Sequence, residues 1–382
     1  MPYFDHNATA PLAPIARETW LRLSDEAWHN PSSPTRDGAR ARLRLDAARE
    51  RTAEFLGCPP ARLLFNSGAT EGAHTVFDHW ARTLPPAARI ALNPTEHPAV
   101  LEAARRHFPD RIDFLPLTPA GLIRLDALAT LFSSDTPPSA LAVMAANNET
   151  GVLQPWREIA ALCAARHIPF LCDATQWLGK LPASGLGATG WLIASAHKFG
   201  GPKATGLLVF PDQSESFSAQ SGGSQENAHR AGTEDVPSIC ALAAALADAE
   251  QTKVFLEESR LHLRNHFERA IVSAITGSRI LCPDADRLWN TISLLLPHVE
   301  NARWVAKLDK RGFQVSTGSA CATGKAGPSH VLTALGLSID ESRRVIRISS
   351  GWDTTESDWH ALLAALTEVA TELIPPANVV KP

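Results

Sequence analysis

The chain has no C-x-x-C pair among its six cysteines. That absence argues against a zinc knuckle or a dithiol redox motif, and 382 residues need no disulfide staples to hold a core. A reducing cytoplasm is the expected setting. No apolar run approaches the ~18–20 residues of a membrane span. The opening Met1-Pro2-Tyr3-Phe4-Asp5-His6 lacks the basic and apolar stretches of a signal peptide, so export is not expected. Positive charge is not in excess: 36 Lys and Arg stand against 40 Asp and Glu, a net charge of -4. Neither direct nucleic-acid binding nor a membrane partner is expected. Internal repeats and low-complexity tracts are also missing. Hydrophobic residues are plentiful at 45%, enough for a large core and for two domains.

From about residue 60, short apolar runs alternate with amphipathic stretches. Arg62–Phe65, Ile90–Leu92, Ala140–Met144, Phe170–Cys172, Leu192–Ala194 and Leu207–Phe210 read as buried strands, and Pro155–Arg166 as one of the helices between them. This is the pattern of an α/β fold, a mostly parallel sheet between helices. Gln213–Gly232, rich in Ser and Gly, reads as a long functional loop. Helices are expected over Pro237–Gln251 and over Val254–Val272. Strands at Asn290–Leu296 and Val345–Ser349 then belong to a second unit, which places a boundary near residue 250. The arginines of Arg36–Arg51 alternate with Ala, Leu, Asp and Glu at helical spacing and read as a solvated helix face.

Chemistry concentrates at the ends of the predicted strands, where such folds gather ligands. Asp173 closes one strand, and Lys198, in Ser195-Ala196-His197-Lys198, follows another. A lysine to form a Schiff base and a carboxylate to keep the pyridine nitrogen protonated are the two contacts that pyridoxal 5'-phosphate needs to act as an electron sink. Ala69 and Thr70 open a helix after a strand, where backbone N–H groups and a hydroxyl suit a phosphate. Cys163, Cys172 and Cys240 lie in apolar stretches and read as small core residues. Cys321 lies among Gly318, Ser319, Ala320, Ala322, Thr323 and Gly324, too polar and small a setting for a core cysteine, and reads as a nucleophile on a mobile loop. No metal ligands are expected. Lys203, beside the lysine motif, reads as a surface charge.

Seven motifs run in order: Asn66–Gly72, Thr95-Glu96-His97, Asn147–Gly151, Asp173–Gln176, Ala196-His197-Lys198, Arg230–Thr233 and Gly318–Cys321. Their order and content resemble the NifS/IscS-like cysteine desulfurases, a branch of the class V aminotransferase superfamily of fold-type I enzymes, over nearly the whole chain. The resemblance implies a large domain with a seven-stranded sheet over residues 14–250, and a smaller α+β domain from residues 1–13 and 251–382. It implies that His97 stacks on the cofactor ring and moves protons, and that Gln176 hydrogen-bonds the ring hydroxyl oxygen. Asn148 would lie near ring and substrate. Ser195 and His197 would join Ala69 and Thr70 at the phosphate, and Thr233 would complete that cup from the partner subunit of a homodimer. Arg347 would clamp the substrate carboxylate in a bidentate fork.

The implied reaction converts L-cysteine to L-alanine. The sulfur passes as a persulfide on Cys321 to an acceptor protein, such as an iron–sulfur scaffold or a thiolation enzyme. A selenocysteine lyase, another class V enzyme and a non-catalytic sulfur-transfer scaffold are the alternatives. Four positions depart from the usual pattern of the family: Thr35, Thr150, Trp352 and Asp353.

Overall fold

The computed structural model describes residues 2–212, 217–318 and 329–374, without the side chains of 253–257. Strands β1 (Leu63–Asn66), β2 (Ile90–Leu92), β3 (Ile112–Phe114), β4 (Ala140–Ala142), β5 (Phe170–Asp173), β6 (Trp191–Ser195) and β7 (Gly206–Val209) form one sheet in the order β1-β7-β6-β5-β4-β2-β3. Neighbours from β6 through β3 pair in parallel, whereas β7 runs against both β1 and β6. Helices α1 (Pro14–Glu26), α2 (Arg36–Leu56), α3 (Ala69–Thr83), α4 (Pro98–His107), α5 (Leu125–Phe132) and α6 (Trp156–Ala164) belong to the same body, and α7 (Val236–Ala274) starts in it, with Leu242, and ends in a second core at Phe267 and Ile271.

Successive strand residues point to opposite faces. Leu63 and Leu192 therefore join an apolar layer with Leu45 and Leu242, while Leu64 and Ile193 join another with Phe77 and Val100. Burial on both faces explains the unbroken apolar runs, and the mostly parallel α/β sheet is as expected.

Two elements differ from the sequence reading. Strand β3 was not expected, because its three residues alternate with charge and it lies at the sheet edge with Phe114 exposed. The two helices expected around residue 250 are one helix, α7, 39 residues long. No proline or glycine interrupts Gln251-Thr252-Lys253-Val254, so nothing there stops the backbone ladder.

Beyond α7 lies a second, antiparallel sheet, β10-β9-β8, from β8 (Arg279–Ile280), β9 (Thr291–Leu295) and β10 (Val345–Ser349). Helices α8 (Asn301–Lys310), α9 (His330–Ala334), α10 (Ile339–Ser342) and α11 (Glu356–Leu373) accompany it. The N-terminal segment returns to this unit: Tyr3 bridges Gln314, Asp5 bridges Ser349, and Phe4 packs among Phe267, Trp304 and Trp359. Burying Phe4 stabilises that attachment by about 1.5–3 kcal/mol.

One arginine of α2 does not face solvent as expected. Arg49 is 6% exposed and holds Glu226 through two bonds, Nη1 to Oε2 at 2.8 Å and Nη2 to Oε1 at 2.7 Å. Glu226 Oε2 also accepts from Phe65 N at 2.9 Å. Glu226, Asn227 and Ala228 all have left-handed backbone (φ 49°, 56° and 64°). The buried ion pair fastens this strained turn to α2 and the Phe65 N–H fastens it to β1, which together fix the loop that carries Arg230 and Thr233.

Candidate active site

Because β2, β4, β5 and β6 run parallel, their carboxyl ends open on one side of the sheet. A cavity of about 230 Å³ lies there, lined by Ala69, Thr70, His97, Asn148, Asp173, Gln176, Ser195, His197 and Lys198, with Ala99, Met144, Ala146 and Thr175. Nine of the ten residues expected around the cofactor thus meet in one place. Thr233 lies apart, in a cleft with Phe65, Glu226 and Arg230.

Lys198 ends a short turn after β6, and its Nζ donates to Asn7 O and Ala8 O, each at 2.8 Å. No side-chain motif announces those two carbonyls, which lie 191 and 190 residues away in sequence. Asp173 is buried at the end of β5, and its Oδ1 accepts from Thr175 N at 2.9 Å. Gly68 leads into α3 at φ 140°, and a Cβ there would come within 3.1 Å of Ser195 Oγ. That close approach lets Ala69 N donate to Ser195 Oγ at 2.8 Å. His97 caps α4 by accepting from Ala99 N at Nδ1. That bond puts its proton on Nε2. Burial lowers the His97 pKa, against the opposing charge of Asp173. His197 is pushed down to about 4 by burial and then by the charges of Lys198, Lys203 and Lys180. Both imidazoles are therefore neutral near pH 7.

The cavity fits pyridoxal phosphate. It combines a lysine, a buried carboxylate and a helix N-terminus with hydroxyls, and Asn148 Oδ1 and Thr175 Oγ1 are buried there without a hydrogen-bond partner.

Arg347 is not on the cavity wall. It is 1% exposed, and its guanidinium donates to Asp5 Oδ1 at 2.6 Å, Asn148 O at 3.0 Å and Gly318 O at 3.2 Å. Its Nε is buried without a partner. Cys321 falls outside the described residues. The described ends of its segment are fastened near the cavity, Gly318 through Arg347 and Ser329 through Glu149, whose Oε2 accepts from Ser329 Oγ at 2.7 Å. Among the other cysteines, Cys163, Cys172 and Cys240 are buried as expected, and so is Cys282. Burial pushes the Cys163 thiol to about 12 and that of Cys240, as well as that of half-buried Cys58, to about 11. None of these is placed to be a thiolate. Lys203 is exposed, as expected.

Sequence reasoning gave no role to Glu96. It is fully enclosed, accepts from Met144 N at 2.5 Å, and has its pKa raised well above the carboxylate range by burial and then by the charge of Asp173. Its signal was its place inside Thr95-Glu96-His97.

The departures from the family pattern find local partners. Thr35 caps α2 by accepting from Gly38 N, and Thr150 bonds Asn147 Oδ1 at 3.1 Å. Trp352 and Asp353 both meet buried His6, the first edge-on at 5.6 Å and the second 3.4 Å from Nε2. A Cβ on Gly351 would collide with the His6 ring, so His6 requires glycine there.

An α/β enzyme fold with a lysine and a carboxylate closing neighbouring strands defines the class, and the family model described as Aminotransferase class-V matches residues 2–362. The chain belongs to that family and, within it, to the IscS- and NifS-like cysteine desulfurases. Cysteine desulfurase IscS of Dictyoglomus turgidum is 34% identical over 97% of this chain and 95% of its own. The IscS-like cysteine desulfurase of Mycobacterium tuberculosis is 33% identical over 96% and 95%. Among solved structures, a NifS-like protein superposes with a TM-score of 0.89 at 29% identity, covering 97% of this chain and 100% of that one. SspA in complex with cysteine gives 0.77 at 28%, covering 92% and 99%. The family implies pyridoxal phosphate as cofactor. No helix among the described residues is long and apolar enough to cross a membrane.

Proposed function

We propose that this protein is a pyridoxal-phosphate-dependent cysteine desulfurase that turns L-cysteine into L-alanine and passes the sulfur, as a persulfide on Cys321, to an acceptor protein. The observation that carries the reading is the meeting of Lys198, Asp173, His97 and the α3 N-terminus on one cavity, in a chain about one third identical to cysteine desulfurases.

Bound pyridoxal phosphate supplies an electron sink for the pair released at the substrate Cα. Asp173 would keep the proton on the ring nitrogen. Lys198 would hold the cofactor covalently through Nζ, and that amine, when free, would take the Cα proton. His97, neutral and with its proton on Nε2, is suited to move protons beside the ring. Ala69, Thr70, Ser195 and His197 would hold the phosphate, and Gln176 would meet the ring oxygen. Arg347 would receive the substrate carboxylate with Asn148 beside it, which requires its guanidinium to exchange contacts it now makes with Asp5, Asn148 and Gly318. The Cys321 thiolate attacks the substrate sulfur, the S–S bond forms as the C–S bond breaks, and alanine leaves with the carbon skeleton.

We extend the proposal to organisation. Residues 14–250 form the cofactor domain, and 1–13 with 251–382 the smaller one. The separate apolar core around Phe4, Phe267 and Trp359 supports this division. The working unit is a cytoplasmic homodimer in which Thr233 serves the partner's phosphate. Its place outside its own chain's cavity supports that role. Light scattering is expected to give a dimer, with Thr233→Val weakening cofactor binding by about tenfold. A monomer with full cofactor affinity would rule this out.

The direct test of the function is alanine and sulfide release from L-cysteine, compared between wild type and Asp173→Ala. Loss of the ring-nitrogen proton is expected to lower turnover by about 10²–10⁴-fold while cofactor stays bound through its phosphate. Wild-type turnover in that variant would contradict the role of Asp173. No turnover by the wild type would sink the reading itself.

A further inference from the structure

Lys180 has no part in the reaction as drawn, yet it is 6% exposed, an unusual place for a lysine. It follows β5 by a few residues, and its Nζ donates to Gln176 Oε1 at 2.7 Å and to Gln176 O at 3.3 Å. Gln176 Nε2 in turn donates to Asn7 O at 2.9 Å, the same carbonyl that accepts from Lys198 Nζ. Lys180 and Lys198 also share a second cavity of about 40 Å³, which has Lys198 in common with the first, with His6, Asp248, Trp289 and Trp352. Two lysines thus reach one backbone carbonyl, one directly and one through a glutamine amide.

The donor inventory makes this arrangement directional. An ammonium has three N–H donors and no acceptor, so it can meet the side-chain amide only at its oxygen. As a free amine, Lys180 still has two N–H groups, enough for Gln176 O and Oε1. Burial, followed by the like charges of Lys198 and Arg347, brings the Lys180 pKa down to about 7, so both forms are populated near neutrality. The ammonium, which cannot accept, keeps Oε1 turned toward Lys180 and the NH₂ group turned away, and the free amine can hold the same arrangement through its two N–H groups. One of the two amide protons goes to Asn7 O. The other is left for the cofactor cavity, whose wall includes Gln176.

We propose that Lys180 is a positioning residue that locks the Gln176 amide so that an N–H, not the carbonyl oxygen, faces the ring oxygen of the bound cofactor. The inference rests on the reading of the main cavity as a pyridoxal phosphate site. Without Lys180 the amide can flip and present an acceptor to an acceptor.

The test is a double-mutant cycle on the holoenzyme, read from the pH titration of the visible absorption band of the lysine-bound cofactor. An N–H on the ring oxygen favours the deprotonated form of the lysine–cofactor link. Gln176→Leu is expected to raise the titration midpoint by about one pH unit. Lys180→Met is expected to raise it by a similar amount in the wild-type background and by nothing further in the Gln176→Leu background. An unchanged midpoint in Lys180→Met overturns the proposal. Equal shifts in both backgrounds also overturn it, because they would mean that Lys180 acts through its charge and not through the amide. Should Lys180→Met fail to fold, Lys180→Gln serves in the same cycle, since its own amide offers donor and acceptor alike and cannot set the direction of Gln176. A wild-type protein with no visible band on adding pyridoxal phosphate would refute the cofactor site, and this proposal with it. A band with an intact midpoint in the Lys180 variants refutes only the proposal.

Discussion

Lys198→Ala is expected to abolish turnover of L-cysteine, a loss at or beyond the ~10⁴-fold upper end for removal of a general base. The covalent hold on the cofactor goes as well, so the visible band should vanish while phosphate contacts keep some cofactor bound. The fold is expected to survive. Lys198 is half-buried, and its Nζ meets two backbone carbonyls, those of Asn7 and Ala8. Leaving these without a donor costs about 1–3 kcal/mol, within the stability of a folded domain. The measurement is borohydride reduction of the wild-type holoenzyme followed by peptide mapping, beside turnover and thermal unfolding of the variant. Cofactor trapped on Lys203 would show the assignment to be wrong. The structure makes that outcome hard to accommodate, because Lys203 is exposed and off the cavity wall.

The second large effect falls on Cys321. Cys321→Ser should still take up cysteine, with a spectral shift, because Lys198, Asp173 and Arg347 remain. Sulfide and alanine release should drop by at least about a hundredfold, since a hydroxyl cannot act as the sulfur nucleophile at neutral pH. Wild-type protein given cysteine without reductant should gain one sulfur mass on the peptide that contains Cys321. If the added mass sits on Cys58 or Cys282, or if Cys321→Ser releases sulfide at the normal rate, the sulfur carrier is another residue. The other thiols make poor carriers. Burial raises the pKa of Cys58, Cys163, Cys172, Cys240 and Cys282 alike. The described flanks of the Cys321 segment are tethered to Asn148 and Glu149, at the edge of the site. Arg347 contacts both Asn148 O and Gly318 O, so the residue proposed to bind substrate carboxylate also anchors the start of that segment.

Much of the sheet was legible because strands buried on both faces need continuous apolar runs. β1, β2 and β4 to β7 announced themselves in that way, whereas β3, alternating and at the edge, did not. The helix pair expected near residue 250 proved to be one helix because a change in polarity does not end a helix when proline, glycine and caps are absent. Arg49 misled for a related reason. Its periodic spacing placed it on a helix, but only the distant Glu226 shows that this turn of the helix faces inward.

Local chemistry along the chain determined which groups the site would hold. A lysine after a strand, an aspartate closing another, a threonine opening a helix and a histidine before a proline each carry a signal within a few residues. Parallel pairing then had to bring them together, since strands that run the same way end on the same side. What only the tertiary structure decided lies in contacts between segments far apart in sequence. The carbonyls of Asn7 and Ala8 hold Lys198, Asp5 holds Arg347, His6 meets Trp352 and Asp353, and the carbonyl of Asn7 also takes a proton from the amide of Gln176. Backbone carbonyls look alike at every position in a sequence, and a lysine does not reveal whether it will be buried. The fold decides both by placing donors opposite acceptors where water cannot reach.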